Sequence, residues 1–326
     1  MKTKRALVTG ATGFIGNHLV RELRCQGWAV ICLTRNPLRA EDTGIECLAA
    51  DLFRPESLIP IRPRLAGVDV VFHLAAQLPV VQPPVDESVY FKVNARATFQ
   101  LLRLAVDAGV GSFVYLSSIG VIGRPEILPI HENHPARPEH PYFVSKLCAE
   151  LYCEWVRSTE NIRATSLRVV SPYGPAMPDG PVLAKFVRQA LKSEDIFLHG
   201  TGERRQNFVH VRDVVQASLL AAETSHPGVY NVASGSSVSM RHLAEMILRL
   251  TPGSRSSVRA SGKPDPQEGY HWDIDLSRSQ NRLGYLPGVS LDAGLKEYLE
   301  SARNDVPPSR WWKQDYENSA AGGHSR

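Results

Sequence analysis

Val8-Thr9-Gly10-Ala11-Thr12-Gly13-Phe14-Ile15-Gly16 joins a short apolar run, Ala6-Leu7-Val8, to an amphipathic segment over 17–25. An apolar run, a turn with three glycines and a helical pattern describe a strand, a tight loop and a helix. In that setting Gly10 permits the turn, Gly13 admits a pyrophosphate close to the backbone, and Gly16 lets the helix pack tightly on the strand. The start of the helix offers unpaired N–H groups and the positive end of its dipole to the phosphates. The spacing is G-x-x-G-x-x-G. Three glycines alone are common in turns, so position and flanks carry the reading of a dinucleotide site.

Outward from this turn, strand-like and helix-like segments alternate. Residues 28–34, 45–50, 68–76, 112–118 and 162–170 read as strands, and 17–25, 89–106 and 141–158 as helices. Continuous β-branched strands alternating with helices imply an α/β fold: a Rossmann-type, doubly wound parallel sheet covered on both faces. Ligands of such sheets sit beyond the carboxyl ends of the strands, so the loops after Val8, Thr34, Ala76 and Ser118 should face one crevice. The pattern changes near residue 170, where prolines and glycines cluster. We expect a dinucleotide-binding domain over 1–170, with 206–233 returning to it. A smaller substrate domain is expected from 171–205 and 234–303. A tail over 304–326 should end in disorder.

The chain has 326 residues, 43% hydrophobic and 21% charged, long enough for one large domain or two modest ones. No run approaches the roughly 20 apolar residues of a membrane-spanning helix. The basic start, Met1 to Arg5, imitates a signal peptide, but glycines interrupt the apolar run after it, which reads as the first strand. The five cysteines form no C-x-x-C pair. They suggest reduced thiols in the cytoplasm rather than a disulfide frame or a zinc site. The net charge of +4 has no basic block that would argue for nucleic acid.

Tyr142 and Lys146 are four residues apart in a helical segment and project from one face. A phenol normally titrates near pH ~10. A neighbouring ammonium, with the positive nicotinamide of an oxidised cofactor, favours phenolate. Such a tyrosine takes a proton from a substrate hydroxyl or returns one to a ketone. Ser118, at the end of the preceding strand, can hydrogen-bond the same oxygen. A Tyr-x-x-x-Lys pair is weak evidence alone. Following Tyr115-Leu116-Ser117-Ser118 in a chain with the glycine turn, it is strong.

With these pieces in order, the chain resembles the extended short-chain dehydrogenase/reductases, the group of nucleotide-sugar epimerases, dehydratases and ketoreductases. The matching stretches also include Asp51-Leu52, His73-Leu74-Ala75-Ala76, Asn94, Tyr173-Gly174-Pro175, Phe208 to Val214, Tyr230-Asn231-Val232 and Leu283 to Pro287. The resemblance implies that Ser118, Tyr142 and Lys146 are the catalytic trio and that Lys146 also holds the nicotinamide ribose. It implies cofactor contacts from Gly10, Gly13, Phe14, Ile15, Gly16, Leu74, Ala75, Ala76 and Val169. Asp51 and Leu52 would flank the adenine and Asn94 would support the site, although Asp51 and Asn94 also suit loop or cap chemistry. Family members often pair through two helices, here 89–106 and 141–158, so a homodimer is expected.

Four departures from the family shape the functional expectation. The second strand ends Leu33-Thr34-Arg35-Asn36, with no acid before Glu41, where NAD-preferring relatives have one. Arg35 suits the extra phosphate of NADP, so NADP is favoured over NAD. Ser118 is followed by Ile119-Gly120-Val121-Ile122-Gly123, without the acids that dehydratases and decarboxylases of the family use. Ser171 stands where nucleotide-sugar enzymes commonly have asparagine, and Gln206 where they have arginine. Arg204 or Arg205 would then meet a diphosphate, one pointing inward and one outward, with Gln77, Ser118 and Ser171 completing the substrate contacts. The leading expectation is hydride transfer at carbon 4 of a nucleotide-linked hexose, by a 4-epimerase or 4-ketoreductase. The alternatives are a reductase of another small ketone and a non-catalytic NAD(P)-sensing protein.

Overall fold

The computed structural model describes residues 3–35, 45–79 and 86–304, and the expected tail beyond 304 lies outside them. The chain begins β1 (Arg5–Thr9), α1 (Phe14–Cys25), β2 (Ala29–Thr34), β3 (Glu46–Ala49) and β4 (Val70–His73). A continuous helix over 88–107 follows. It is α-helical at Ser88–Tyr90 (α2) and Ala97–Asp107 (α3), with a π-helical stretch, Phe91–Arg96, between them. Next come β5 (Ser112–Ser118), α4 (Pro141–Thr159), β6 (Arg163–Val169) and β7 (Ser171–Tyr173). The second half adds α5 (Val182–Leu191), β8 (Ile196–Leu198), β9 (Arg205–His210), α6 (Val211–Glu223) and β10 (Val229–Val232). It closes with β11 (Ser237–Ser239), α7 (Met240–Arg249), β12 (Val258–Ala260) and α8 (Leu291–Arg303).

Seven strands form one sheet in the order β10-β6-β5-β4-β1-β2-β3, and every neighbouring pair is parallel. The strand order reverses between β1 and β4, which opens a crevice beyond their carboxyl ends. Side-chain alternation explains why the strands are apolar throughout. Ala6 and Val8 join Val30, Phe72, Val114 and Leu167 in one layer under α1 and α6. Leu7 joins Ile31, Val71 and Phe113 in the other layer, under α3 and α4. Both faces are covered, so no polar face is needed.

A second body packs α5, α7 and α8 around a three-stranded sheet, β11-β9-β7. This corrects the expectation that all of 206–233 returns to the dinucleotide-binding half. α6 and β10 do return, but β9 pairs with β7 and β11. The reason is strand alternation at the seam: Phe208 packs in the second core while Val209 packs in the first. No helix among the described residues is long and apolar enough to cross a membrane.

A buried ion pair ties β5, β6 and α4 together. Arg168 Nη2 lies 2.8 Å from Glu150 Oε2, its Nε contacts both carboxylate oxygens, and Ser117 Oγ donates to Glu150. Both charged side chains are at least nine-tenths buried.

The glycine turn also has a tight contact. A Cβ on Gly16 would stand 2.0 Å from Gly10 O and 2.7 Å from Gly10 C, both backbone atoms. Gly16→Ala should therefore cost about 2–4 kcal/mol in urea unfolding. Gly27→Ala, at φ +77° but with open space around it, should cost only about 1 kcal/mol. Equal losses at the two positions would show that the Gly10–Gly16 contact is not limiting.

Candidate active site

The loops at the carboxyl edge of the large sheet and the face of the second body enclose a cavity of about 840 Å³. One end is formed by the glycine turn. Gly10 holds φ +70°, its carbonyl accepts from Gly13 N at 2.9 Å, and a Cβ there would come within 2.8 Å of Ala75 N. α1 begins after Gly13 without a side-chain cap, and Gly13, Phe14, Ile15 and Gly16 line the cavity. Arg35, Asp51, Leu52, Leu74, Ala75, Ala76 and Val169 line it as well. Asp51 Oδ1 also accepts from Phe53 N at 3.0 Å, holding the loop that follows β3. A backbone cradle that side chains would fill, an uncapped helix start and an exposed guanidinium together fit a dinucleotide with an anion at its adenosine end.

Ser118, Tyr142 and Lys146 line the same cavity. Ser118 ends β5, and its Oγ accepts from Gly120 N at 3.3 Å, which leaves its proton free to point at a ligand. α4 starts at Pro141, capped by the His140 ring accepting from Tyr142 N, and this fixes where Tyr142 enters the cavity. Lys146, one turn further, donates to Leu116 O at 2.5 Å and lies 4.4 Å from the centre of the Tyr115 ring. Burial pushes its amine down to about 7, against an upward pull from Glu150. Burial also pushes the Tyr142 phenol up, helped by Tyr90. Burial thus acts against the phenolate that a neighbouring ammonium and an oxidised nicotinamide would favour.

Asn94 does not line the cavity. Its Oδ1 accepts from Gln77 N at 2.8 Å, and its Nδ2 donates to Gln77 O and to Ser145 Oγ. It therefore positions Gln77, which does line the cavity. A buried polar chain reaches the same point from the glycine turn. Thr98 Oγ1 donates to Asn94 O at 2.6 Å, so it accepts from His73 Nε2. His73, pushed down to about 3 by burial and hence neutral, then accepts at Nδ1 from Thr9 Oγ1, which in turn accepts from Ala75 N.

The cavity is also lined by Phe208, Trp272 and Met177. Strand alternation separates the two arginines. Arg204 lines the cavity, its Nε 2.7 Å from Asp265 Oδ2 and its Nη1 3.0 Å from Gln206 Oε1. Gln206 passes the chain on to Ser171 Oγ at 2.7 Å. Arg205 turns the other way and spends its guanidinium on Ser237, through Nε to Oγ and Nη2 to the carbonyl. It is not among the lining residues, unlike Ser171. The sequence reading missed Asp265, Gln267 and Trp272, which come from a loop with no periodic pattern. His73 is marked in the sequence only by the stretch His73-Leu74-Ala75-Ala76.

A family model described as the NAD dependent epimerase/dehydratase family matches residues 6–233. The chain is 31% identical to the UDP-glucose 4-epimerase of Mycolicibacterium smegmatis, over 92% of this chain and 99% of that protein. It is similar to the structure of Thermotoga maritima UDP-glucose 4-epimerase with UDP-glucose, at 28% identity and TM-score 0.82, covering 93% and 99% of the two chains. It is equally similar to Thermus thermophilus UDP-glucose 4-epimerase in complex with NAD, at 28% identity and TM-score 0.80, covering 93% and 100%. Proteins named as 4,6-dehydratases and as decarboxylases also match.

Lys146 is buried with its folded pKa near 7, below the usual 10.5. Between these values the unfolded chain holds more protons, so the burial penalty is full below pH ~7 and is relieved as pH rises toward ~10. Lys146→Met should therefore raise the melting temperature of nucleotide-stripped protein at pH ~6.5 and lose most of that gain by pH ~9.5. A gain independent of pH would remove the desolvation argument.

Proposed function

The chain belongs to the NAD-dependent epimerase/dehydratase family, and we propose that it transfers hydride at carbon 4 of a nucleotide-linked hexose, as a 4-epimerase or 4-ketoreductase. One observation carries the reading: Ser118 and Tyr142 line one cavity together with the glycine turn, Arg35, Arg204 and Gln206. The glycine turn and the start of α1 would hold the pyrophosphate of the cofactor, and Lys146 the ribose. When bound, the nicotinamide supplies or accepts the hydride. The Tyr142 phenol returns a proton to the carbonyl oxygen on reduction and takes it from the hydroxyl on oxidation. Ser118 Oγ donates to that same oxygen and fixes its direction.

Loss of water or carbon dioxide needs further acid–base groups beside the sugar. The segment after Ser118, Ile119 to Gly123, supplies none, and the acids lining the cavity among the described residues are Asp51 and Asp179. Arg35 supports NADP over NAD, since a guanidinium pairs with a phosphate in two parallel bonds. The exposed apolar side chains Val144, Leu151 and Trp155 of α4, with Phe91 of the π-helical stretch, support a homodimer through these helices. A second reading, a reductase of an uncharged ketone, is favoured by one fact: Asp265 already pairs with Arg204, the cation nearest a substrate diphosphate.

A panel of UDP-, GDP-, CDP- and dTDP-hexoses, each with either cofactor, separates the readings. One nucleotide sugar should be interconverted with its 4-epimer or formed from its 4-ketone. Tyr142→Phe should cut that turnover roughly 100-fold or more. Arg204→Ala should raise KM with little change in kcat. An uncharged ketone turned over better than every nucleotide sugar would replace the leading reading.

Cofactor choice has its own test. Arg35→Asp should weaken NADP binding by roughly 10- to 100-fold and spare NAD, read by titration of both. Equal losses would sink the assignment of Arg35.

A further inference from the structure

The outer edge of the large sheet carries two thiols that the proposed reaction does not use. Cys32 on β2 and Cys47 on β3 are in-register partners on neighbouring parallel strands. Such partners point to the same face, and neighbouring strands run about 4.8 Å apart. That spacing falls inside the Cα separations of roughly 4.4–6.8 Å that a disulfide spans. Both cysteines are free, and their side chains are hydrogen-bonded to each other.

The two sulfurs differ in the way an attacking and a resolving thiol differ. Cys47 is part-exposed on the last strand of the sheet, while Cys32 is buried beside it. The bond between them favours the thiolate at Cys47 and pushes the Cys32 thiol up. Nucleophilic sulfur is thiolate with access to solvent, which is Cys47. Cys148 and Cys153 lie on α4, which covers the opposite face of the sheet.

We propose that Cys32 and Cys47 are an oxidisable dithiol, a modification site at which a hydroperoxide closes a disulfide across β2 and β3. In the first step the Cys47 sulfur attacks a peroxide oxygen. An S–O bond forms, the O–O bond breaks, and the leaving oxygen departs protonated, as water when the oxidant is hydrogen peroxide. In the second, the Cys32 sulfur attacks the sulfenic sulfur of Cys47. The S–S bond forms, the S–O bond breaks, and the leaving hydroxide takes the Cys32 proton to become water. The two thiols give up two electrons, which reduce the O–O bond. The closed ring would run from residue 32 to 47 and contain Arg35. β2 ends in Leu33 and Thr34, and the chain after β3 enters Ala50, Asp51 and Leu52, all lining the adenosine end of the cavity. The disulfide would thus fasten the two sides of that end to each other.

The full-length protein is treated with hydrogen peroxide, its remaining thiols are alkylated, and it is digested without reductant for peptide mass mapping. The dominant product should be the peptide of Cys32 linked to that of Cys47, lighter by two hydrogen atoms, and dithiothreitol should separate them. In Cys32→Ala, Cys47 should stop as a sulfenic acid that dimedone traps. In Cys47→Ser, Cys32 should remain a thiol. The proposal is overturned if both cysteines of the unaltered protein stay reduced. It is equally overturned if Cys47 gains oxygen atoms with Cys32 present, or if the link forms to Cys25, Cys148 or Cys153.

Discussion

A carboxylate and a guanidinium removed from water, Glu150 and Arg168, tie together the strands and the helix that carry the proposed reacting groups. Ser117, which donates to Glu150, precedes Ser118. Lys146 and Tyr142 lie one and two helical turns before Glu150, and Val169 follows Arg168 into the cavity wall. The network continues outward: Arg168 Nη1 donates to Glu132 O, and Glu132 Oε1 accepts from Asn231 N on β10. Such a pair adds little net stability against an apolar packing of equal volume, yet losing one member strands the other at a cost of about 3–5 kcal/mol. Its value here is geometric, because it allows one register of α4 against β5 and β6.

Two walls of the cavity are built on different principles. The wall proposed to hold the cofactor consists of backbone held by the main sheet, with Gly10 pressed against Ala75 and the His73 chain tying that turn to Asn94. The wall proposed to meet the substrate consists of side chains from three separate segments, with Ser171, Gln206, Arg204 and Asp265 linked in sequence. A backbone cradle tolerates little substitution. A relay of side chains can be rewritten residue by residue, which suits one scaffold to several substrates.

What was legible in the sequence follows from this division. The glycine turn, six of the seven strands of the large sheet and the Tyr142–Lys146 spacing are local or periodic, and each can be read within a few residues, whereas β10 is marked only by the family stretch Tyr230-Asn231-Val232. The inward and outward turning of Arg204 and Arg205 also follows from strand alternation. The pairing of Arg204 with Asp265 spans 61 residues and has no periodic mark. The protonation of Tyr142 depends on how deeply it is buried, which spacing does not encode. The place of β9 at a seam escaped the reading because Phe208 and Val209 serve two cores at once.

The π-helical stretch Phe91–Arg96 has a consequence for the length of the chain itself. A π turn holds one residue more than an α turn, so this helix accommodates a surplus residue without breaking. Excision of one residue there would leave an ordinary helix of good geometry. It would leave the two halves at nearly the same rotation, since five residues of a π turn sweep about the angle that four sweep in an α turn. Leu101 and Leu102 would keep their places in the core, but the stretch that presents Asn94 to Gln77 and Ser145 would be one residue short. The length of this segment is thus a constraint on insertions and deletions that its residue identities alone do not display.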